Sequence, residues 1–392
     1  MAFAGLRGTG DWGTDERPKN FREMILWRNP NGQAPLTALM SRMKTEKTDD
    51  PEFSWWEEQQ DVVRLLDTTG ELIGSTAWTV DSGALKLVPG DLLLVSKTEV
   101  AGYDNELVEV TAVTNDTDFT VVRGAAGTTA AATGASATYT KIGNVYGEGT
   151  TSPDVTNENP VKYLNYAQIF KTAYELTGTV QVTRARTGDP LKNDKKRKMF
   201  QHSVALEMAF LFGKAFETTG ANGKPKRYTG GLREFIQTNA KVYTGAATED
   251  ILLNDLYKVF DYDSGAAGNE RLVFAGNQFL NDLNRLARNS SSTRVNFDGT
   301  VKAYGMELQR WIMPQGTIFV RSHPLMNTHN IYTASAFVID PSAIVYRPLR
   351  DTKPMDNIQA NDADTRKGQW MTEAGIEVRH EGTMAYLGNF NI

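Results

Sequence analysis

With 392 residues, 40% of them hydrophobic, and 34 glycines, the chain is long enough for two or three domains with cores of their own. Its net charge of −5 and isoelectric point near 5.6 leave no broad basic surface for neutralising phosphates, which argues against sequence-specific nucleic-acid binding. The absence of cysteine excludes disulfides, thiolate nucleophiles and cysteine-bound metal centres, and no apolar run approaches the roughly 20 residues of a membrane-spanning helix.

The first 45 or so residues read as an arm. They are glycine-rich and polar rather than signal-like, which places the protein in the cytoplasm where it is made, and Met24, Ile25 and Trp27 are their apolar anchors. A segment without a closed core is stable only when laid on another surface. Next, PEFSWWEEQQDVVRLL carries Phe53, Trp55 and Trp56 in an extended stretch heading outward. From about Thr68 to Asn144 the composition turns to Thr, Val, Ala and Gly. The runs DLLLVSK, ELVEVTAV, DFTVVRG and ATYTKIG have the length and spacing of strands in a small sandwich or barrel, with GAAGTTAAATGAS as a loop. This block reads as an inserted β-domain.

YLNYAQIFKTAYELTGTVQVTRAR, residues 163–186, is read as extended throughout. A long helix follows: Asp189 supplies an N-cap carboxylate, Pro190 fits the first helical position, and the pattern runs to Glu217, about 40 Å at 1.5 Å per residue. Phe200, Val204, Met208, Leu211 and Ala215 recur at helical spacing and are expected to form its buried face. Asp194, Lys195, Lys196, Arg197 and Lys198 crowd its first turns. Beyond it, helix and strand alternate. Thr248 caps a helix with Ile251, Leu252, Leu256, Val259 and Phe260 on one face, RLVFAG is a buried strand, and NQFLNDLNRLAR is a second helix. GMELQRWIM, GTIFVRS and IYTASAFVID read as strands, and GIEVRHEGTMAYLGNF as two closing strands. The class is α+β.

The stretches PLTALM (35–40), FSWWEEQ (53–59), NYAQIFKTAYELTGT (165–179), RKMFQHSVALEMAFLFGK (197–214) and RYTGGLREFI (227–236), in this order, resemble a tailed-phage major capsid protein with the Hong Kong 97-type fold. They are similar to a podovirus-type subgroup with a β-domain inserted in the extended loop. The resemblance implies an N-terminal arm at 1–45, an extended loop at 46–188 containing the 68–144 insert, and a spine helix of the peripheral domain at 189–228. It further implies an axial α+β domain at 229–330 and peripheral-domain strands to the C-terminus at 331–392. Such subunits form hexamers and pentamers that close an icosahedral shell around double-stranded DNA, assembled with a portal in the host cytoplasm. Because no charged helical segment precedes Phe21, a separate scaffolding protein is expected. An encapsulin-like cellular compartment, or a carbohydrate-binding or hydrolytic virion protein, are the alternative readings.

No motif supplies a catalytic or cofactor site. Gly8–Gly13 matches a dinucleotide-binding glycine pattern without the strand and helix it needs, and Gly223–Lys224–Pro225 is a turn rather than a phosphate loop. His202, His323, His329 and His380 lack metal-ligand spacing, and His202 is expected to pack or face solvent on the spine. Glu57 and Glu58 beside Trp55 and Trp56 point to opposite faces of a strand, so they cannot flank one glycosidic bond. The candidates for contacts between subunits are Trp27, Trp55, Trp56, Lys195, Lys196 and Arg197, the basic run being the first choice for ion pairs.

Overall fold

The computed structural model describes residues 44–58, 62–96, 105–134, 136–185, 187–262, 269–289, 297–303 and 306–392. The arm with Trp27 lies outside them, as does the Gly8–Gly13 pattern. Residues 56–162 form one compact unit and the flanking chain another. Strand β1 (Glu52–Glu57) leads into the smaller unit, whose strands are β2 (Arg64–Asp67), β3 (Ala77–Thr79), β4 (Asp91–Val95), β5 (Leu107–Val113), β6 (Asp118–Ala125) and β7 (Ala137–Asn144). They make one antiparallel sheet in the order β2-β7-β4-β5-β6-β3. The amide of Asp81, just past β3, donates to Leu66 O on β2 at the opposite edge (2.9 Å), so the sheet curls towards closure, more barrel than sandwich.

Alternation along each strand sends Leu65, Leu93, Val95, Val108, Val110, Phe119, Val121 and Tyr139 into one core around Trp78. The low-complexity loop after β6 is organised by one side chain. Arg123 binds Glu106 through Nε (2.8 Å) and Nη2 (2.6 Å), donates to the carbonyls of Leu72 and Ala131, and lies 5.2 Å from the Trp78 ring centroid.

In the larger unit, β8 (Val161–Tyr166) pairs with β1, and β9 (Gln168–Thr177) is followed by a one-turn helix α1 (Gly178–Val182) and the long helix α2 (Pro190–Phe212). The 163–186 stretch is extended only to Thr177, because β9 runs out of partner at Thr177↔Thr365 and the Gly178 amide turns onto Asp364 O. Helix α2 starts as expected, with Asp189 Oδ1 accepting from the Leu191 (2.9 Å) and Lys192 (3.4 Å) amides, but it ends at Phe212 rather than Glu217. There Gly213 and Gly231 cross so closely that a Cβ on either would collide with backbone. Finally, the buried face of α2 is His202, Leu206, Glu207, Phe210 and Leu211. Phe200, Val204 and Met208 are only half-buried, because the face that wins contains two polar residues whose partners lie in distant segments.

The chain continues through the hairpin β10 (Phe216–Thr219) and β11 (Pro225–Tyr228), α3 (Leu232–Phe235), β12 (Ala240–Val242), α4 (Glu249–Leu256), β13 (Glu270–Ala275) and α5 (Asn277–Asn289). After these come β14 (Phe297–Ala303), β15 (Met306–Ile312), β16 (Thr317–Ser322), β17 (Ala336–Ile339), β18 (Ile344–Asp356), β19 (Thr365–Val378) and β20 (Ala385–Gly388). A mixed seven-stranded sheet, β12-β20-β17-β13-β16-β15-β14, is apolar on both faces. Leu272, Phe274, Phe337 and Ile339 belong to the core shared with α2, while Val273, Ala275, Val338 and Ala336 belong to the core under α4 and α5. On α4, Leu252 and Leu256 are buried as expected, whereas Ile251 is 40% exposed. A second, three-stranded sheet, β18-β19-β9, carries α2 on one face. Its strands β18 and β19 form a ribbon about 45 Å long at 3.4 Å per residue. Pro348 and Pro354 are tolerated on β18 because it is an edge strand, and Thr48 N donates to Pro348 O (3.2 Å) from the segment that runs alongside.

Candidate assembly surface

Trp55 and Trp56 point to opposite sides of β1, as successive strand residues must. Trp55 is 7% exposed and stacks on Tyr163 with centroids 5.9 Å apart, with Phe53 and Phe235 alongside. Its ring is therefore used inside its own chain, and the expected pair reduces to Trp56, which is 63% exposed. Other large apolar side chains at the surface include Leu72 and Ile73 in the smaller unit and Val182 and Phe216 in the larger. Val182 sits on α1, where the 163–186 stretch departs from the expected extended run.

The basic run at the start of α2 divides in the same way. Lys195 Nζ lies 2.8 Å from Asp356 Oδ1 at the end of β18 and 5.6 Å from the Tyr174 ring centroid, and Tyr174 Oη donates to the same carboxylate. The hydrogen bond from Lys195 holds Asp356 below the usual carboxylate range, and the same bond pushes Lys195 up. Lys195 thus fastens the helix start to the ribbon of its own subunit. Arg197 reaches Asp194 at 3.6 Å, one turn back, and Lys196 is exposed.

Several buried or half-buried polar residues tie the larger unit together. Asn165 on β8 makes four hydrogen bonds: Nδ2 donates to Ile376 O (2.7 Å) and Gly230 O (3.1 Å), and Oδ1 accepts from the Gly230 (2.7 Å) and Tyr166 (2.8 Å) amides. Glu46 bridges Arg347 (3.1 Å) and Arg379 (3.3 Å), seating the segment after the arm on β18. The hydrogen bond from Lys44, ahead of the two arginines, keeps its carboxyl below the ordinary range against the opposing effect of burial. His323 Nε2 meets Glu207 Oε1 at 2.7 Å, both fully buried, while His329 is exposed. His323 and His329, one buried and one exposed, therefore do not converge. Among the described residues no cluster of three or more His, Asp or Glu side chains has the geometry of a metal site. No helix among them is long and apolar enough to cross a membrane.

A family model described as the SU10 major capsid protein matches residues 6–391. The major capsid protein of Pseudomonas phage PaMx41 is 25% identical over 376 residues, covering 93% of this chain and 87% of that protein. Among solved structures, the capsid of a native GTA particle aligns over 98% of both chains with 8% identity and a TM-score of 0.48. An encapsulin of Synechococcus elongatus aligns over 60% of this chain and 77% of its own with 12% identity and a TM-score of 0.43. The structural likenesses are distant, whereas the family match spans nearly the whole chain.

Proposed function

This chain belongs to the SU10 major capsid protein family, a shell subunit of the phage virion built from many copies, and we propose how it performs that role. It assembles as hexamers and pentamers into an icosahedral shell of the Hong Kong 97 type, with the smaller unit as the β-domain inserted in its extended loop, as in the podovirus-type subgroup. The single observation that supports this arrangement is the joining of α2 to two different sheets. The buried face of one long helix packs side chains of both the three-stranded and the seven-stranded sheet into one core. Such a spine holds a subunit's shape while its edges are pulled by neighbours.

The contacts between copies fall, on this reading, on exposed apolar positions such as Trp56, Val182 and Phe216 and on Lys196 and Arg197. Trp27 belongs to the arm that would lie on a neighbour. Lys195 and Trp55 act one step back, by shaping the surfaces that meet. The shell encloses double-stranded DNA without gripping it, which suits a chain of net charge −5. A scaffolding protein and a portal act with it in the host cytoplasm, and the subunit has no catalytic task. Incubating the purified chain with and without a candidate scaffold tests the partner assignment. Shells of uniform, correct size from the chain alone would contradict a separate scaffold, whereas aberrant or absent shells that become uniform on its addition support it.

A further inference from the structure

His202 is the one histidine on the buried face of α2, and it is fully buried. Its Nδ1 lies 3.1 Å from Thr172 Oγ1 on β9, and its Nε2 lies 2.7 Å from Thr372 Oγ1 on β19. Thr372 Oγ1 is in turn 2.8 Å from Thr352 Oγ1 on β18. One imidazole thus connects the long helix, through hydroxyls alone, to every strand of the three-stranded sheet. A neutral ring is fully satisfied there: one nitrogen donates, the other accepts, and each hydroxyl can take either part. An imidazolium is not, because hydroxyls supply no counter-charge.

The charged groups around the ring leave it in that position. Along α2, Lys195 is engaged with Asp356 and Tyr174 two turns away, Lys198 lies one turn away, and Glu207 is held by His323. On the strands, Lys171, Asp351, Lys353 and Glu373 flank the threonines at alternating positions, and Glu373 pairs with Arg350 at 2.6 Å.

We infer that His202 is an acid-released pin: neutral, it fastens the spine helix across the three-stranded sheet, and protonated, it loosens that seat so that helix and sheet shift against each other. Burial alone holds the ring below the ordinary histidine range. The sign follows. A group whose folded form resists protonation contributes stability that is complete above its unfolded value of about 6.5 and is lost as pH falls towards the folded one.

The test is hydrogen–deuterium exchange of the α2 peptides, corrected for intrinsic pH dependence, on the full-length chain from pH 7.5 to 5, comparing wild type with His202→Gln and His329→Gln. Gln keeps a donor and an acceptor but does not titrate. Wild type and His329→Gln should lose protection of α2 in acid, by about tenfold in the open fraction for each pH unit by which the ring is held down, while His202→Gln stays flat. An acid loss of equal size in His202→Gln would overturn the inference. If that variant does not fold, Thr172→Val removes one hydroxyl while leaving the ring titratable. It should alter the acid loss of α2 protection, and a profile identical to wild type would equally overturn the inference.

Discussion

At the scale of single residues, the polar groups that hold this subunit were the hardest to read. The parity of Trp55 and Trp56 is legible, since a strand must send one in and one out, yet which goes in depends on Tyr163 and Phe235. His202 and Glu207 sit on the buried face of α2 only because Thr172, Thr372 and His323, between 30 and 170 positions away, complete their hydrogen bonds, and no local pattern announces that. Arg123 is a similar case and gives a sharp expectation. Its ion pair with Glu106 is almost fully buried, with side chains 7% and 2% exposed. Removing one partner leaves the other charge unmatched, so Arg123→Ala should destabilise the smaller unit by about 3–5 kcal/mol, measured by denaturant unfolding. Burial pushes Glu106 up, but the hydrogen bonds from Arg123 and the Ala131 and Gly124 amides, with the arginine charge, bring it below the usual carboxylate range. Its contribution is therefore complete above about pH 4.3 and lost on further acidification, and Glu106→Gln should show a shallower acid limb.

At the scale of elements, starts were more legible than ends and faces. The Asp189–Pro190 signal placed the first residue of α2, and the alternating runs of the smaller unit placed β4 to β7 within a residue or two. The end of α2 was not legible, because Gly213 stops the helix through a backbone crossing with Gly231, a tertiary event. Strand β18 is not legible in the sequence, since Pro348 and Pro354 argue against a strand unless it lies at an edge. Two substitutions separate these influences. Asp189→Ala removes the cap and should cost about 1 kcal/mol, read as a small drop in the unfolding midpoint with normal assembly. Val204→Pro, in the middle of α2, should cost about 3 kcal/mol or more and abolish well-formed shells, and normal particles from it would contradict the role of α2 as the spine.

At the scale of the whole molecule, the smaller unit has its own core and its own sheet, and β1 and β8 pair where the chain enters and leaves it. Replacing residues 58–160 by a short Gly-Ser turn should leave the larger unit folded, with a single cooperative thermal transition and unchanged α-helical circular dichroism. Loss of that transition would show that the larger unit depends on the smaller. The order of its segments makes the capsid family legible in the sequence. The task proposed for this subunit is assembly. Electron microscopy of the purified full-length protein, with light-scattering mass, before and after adding a candidate scaffold, addresses it directly. Closed shells, or five- and six-fold rings, are the expected result; a persistent monomer or small oligomer under all of these conditions would contradict it.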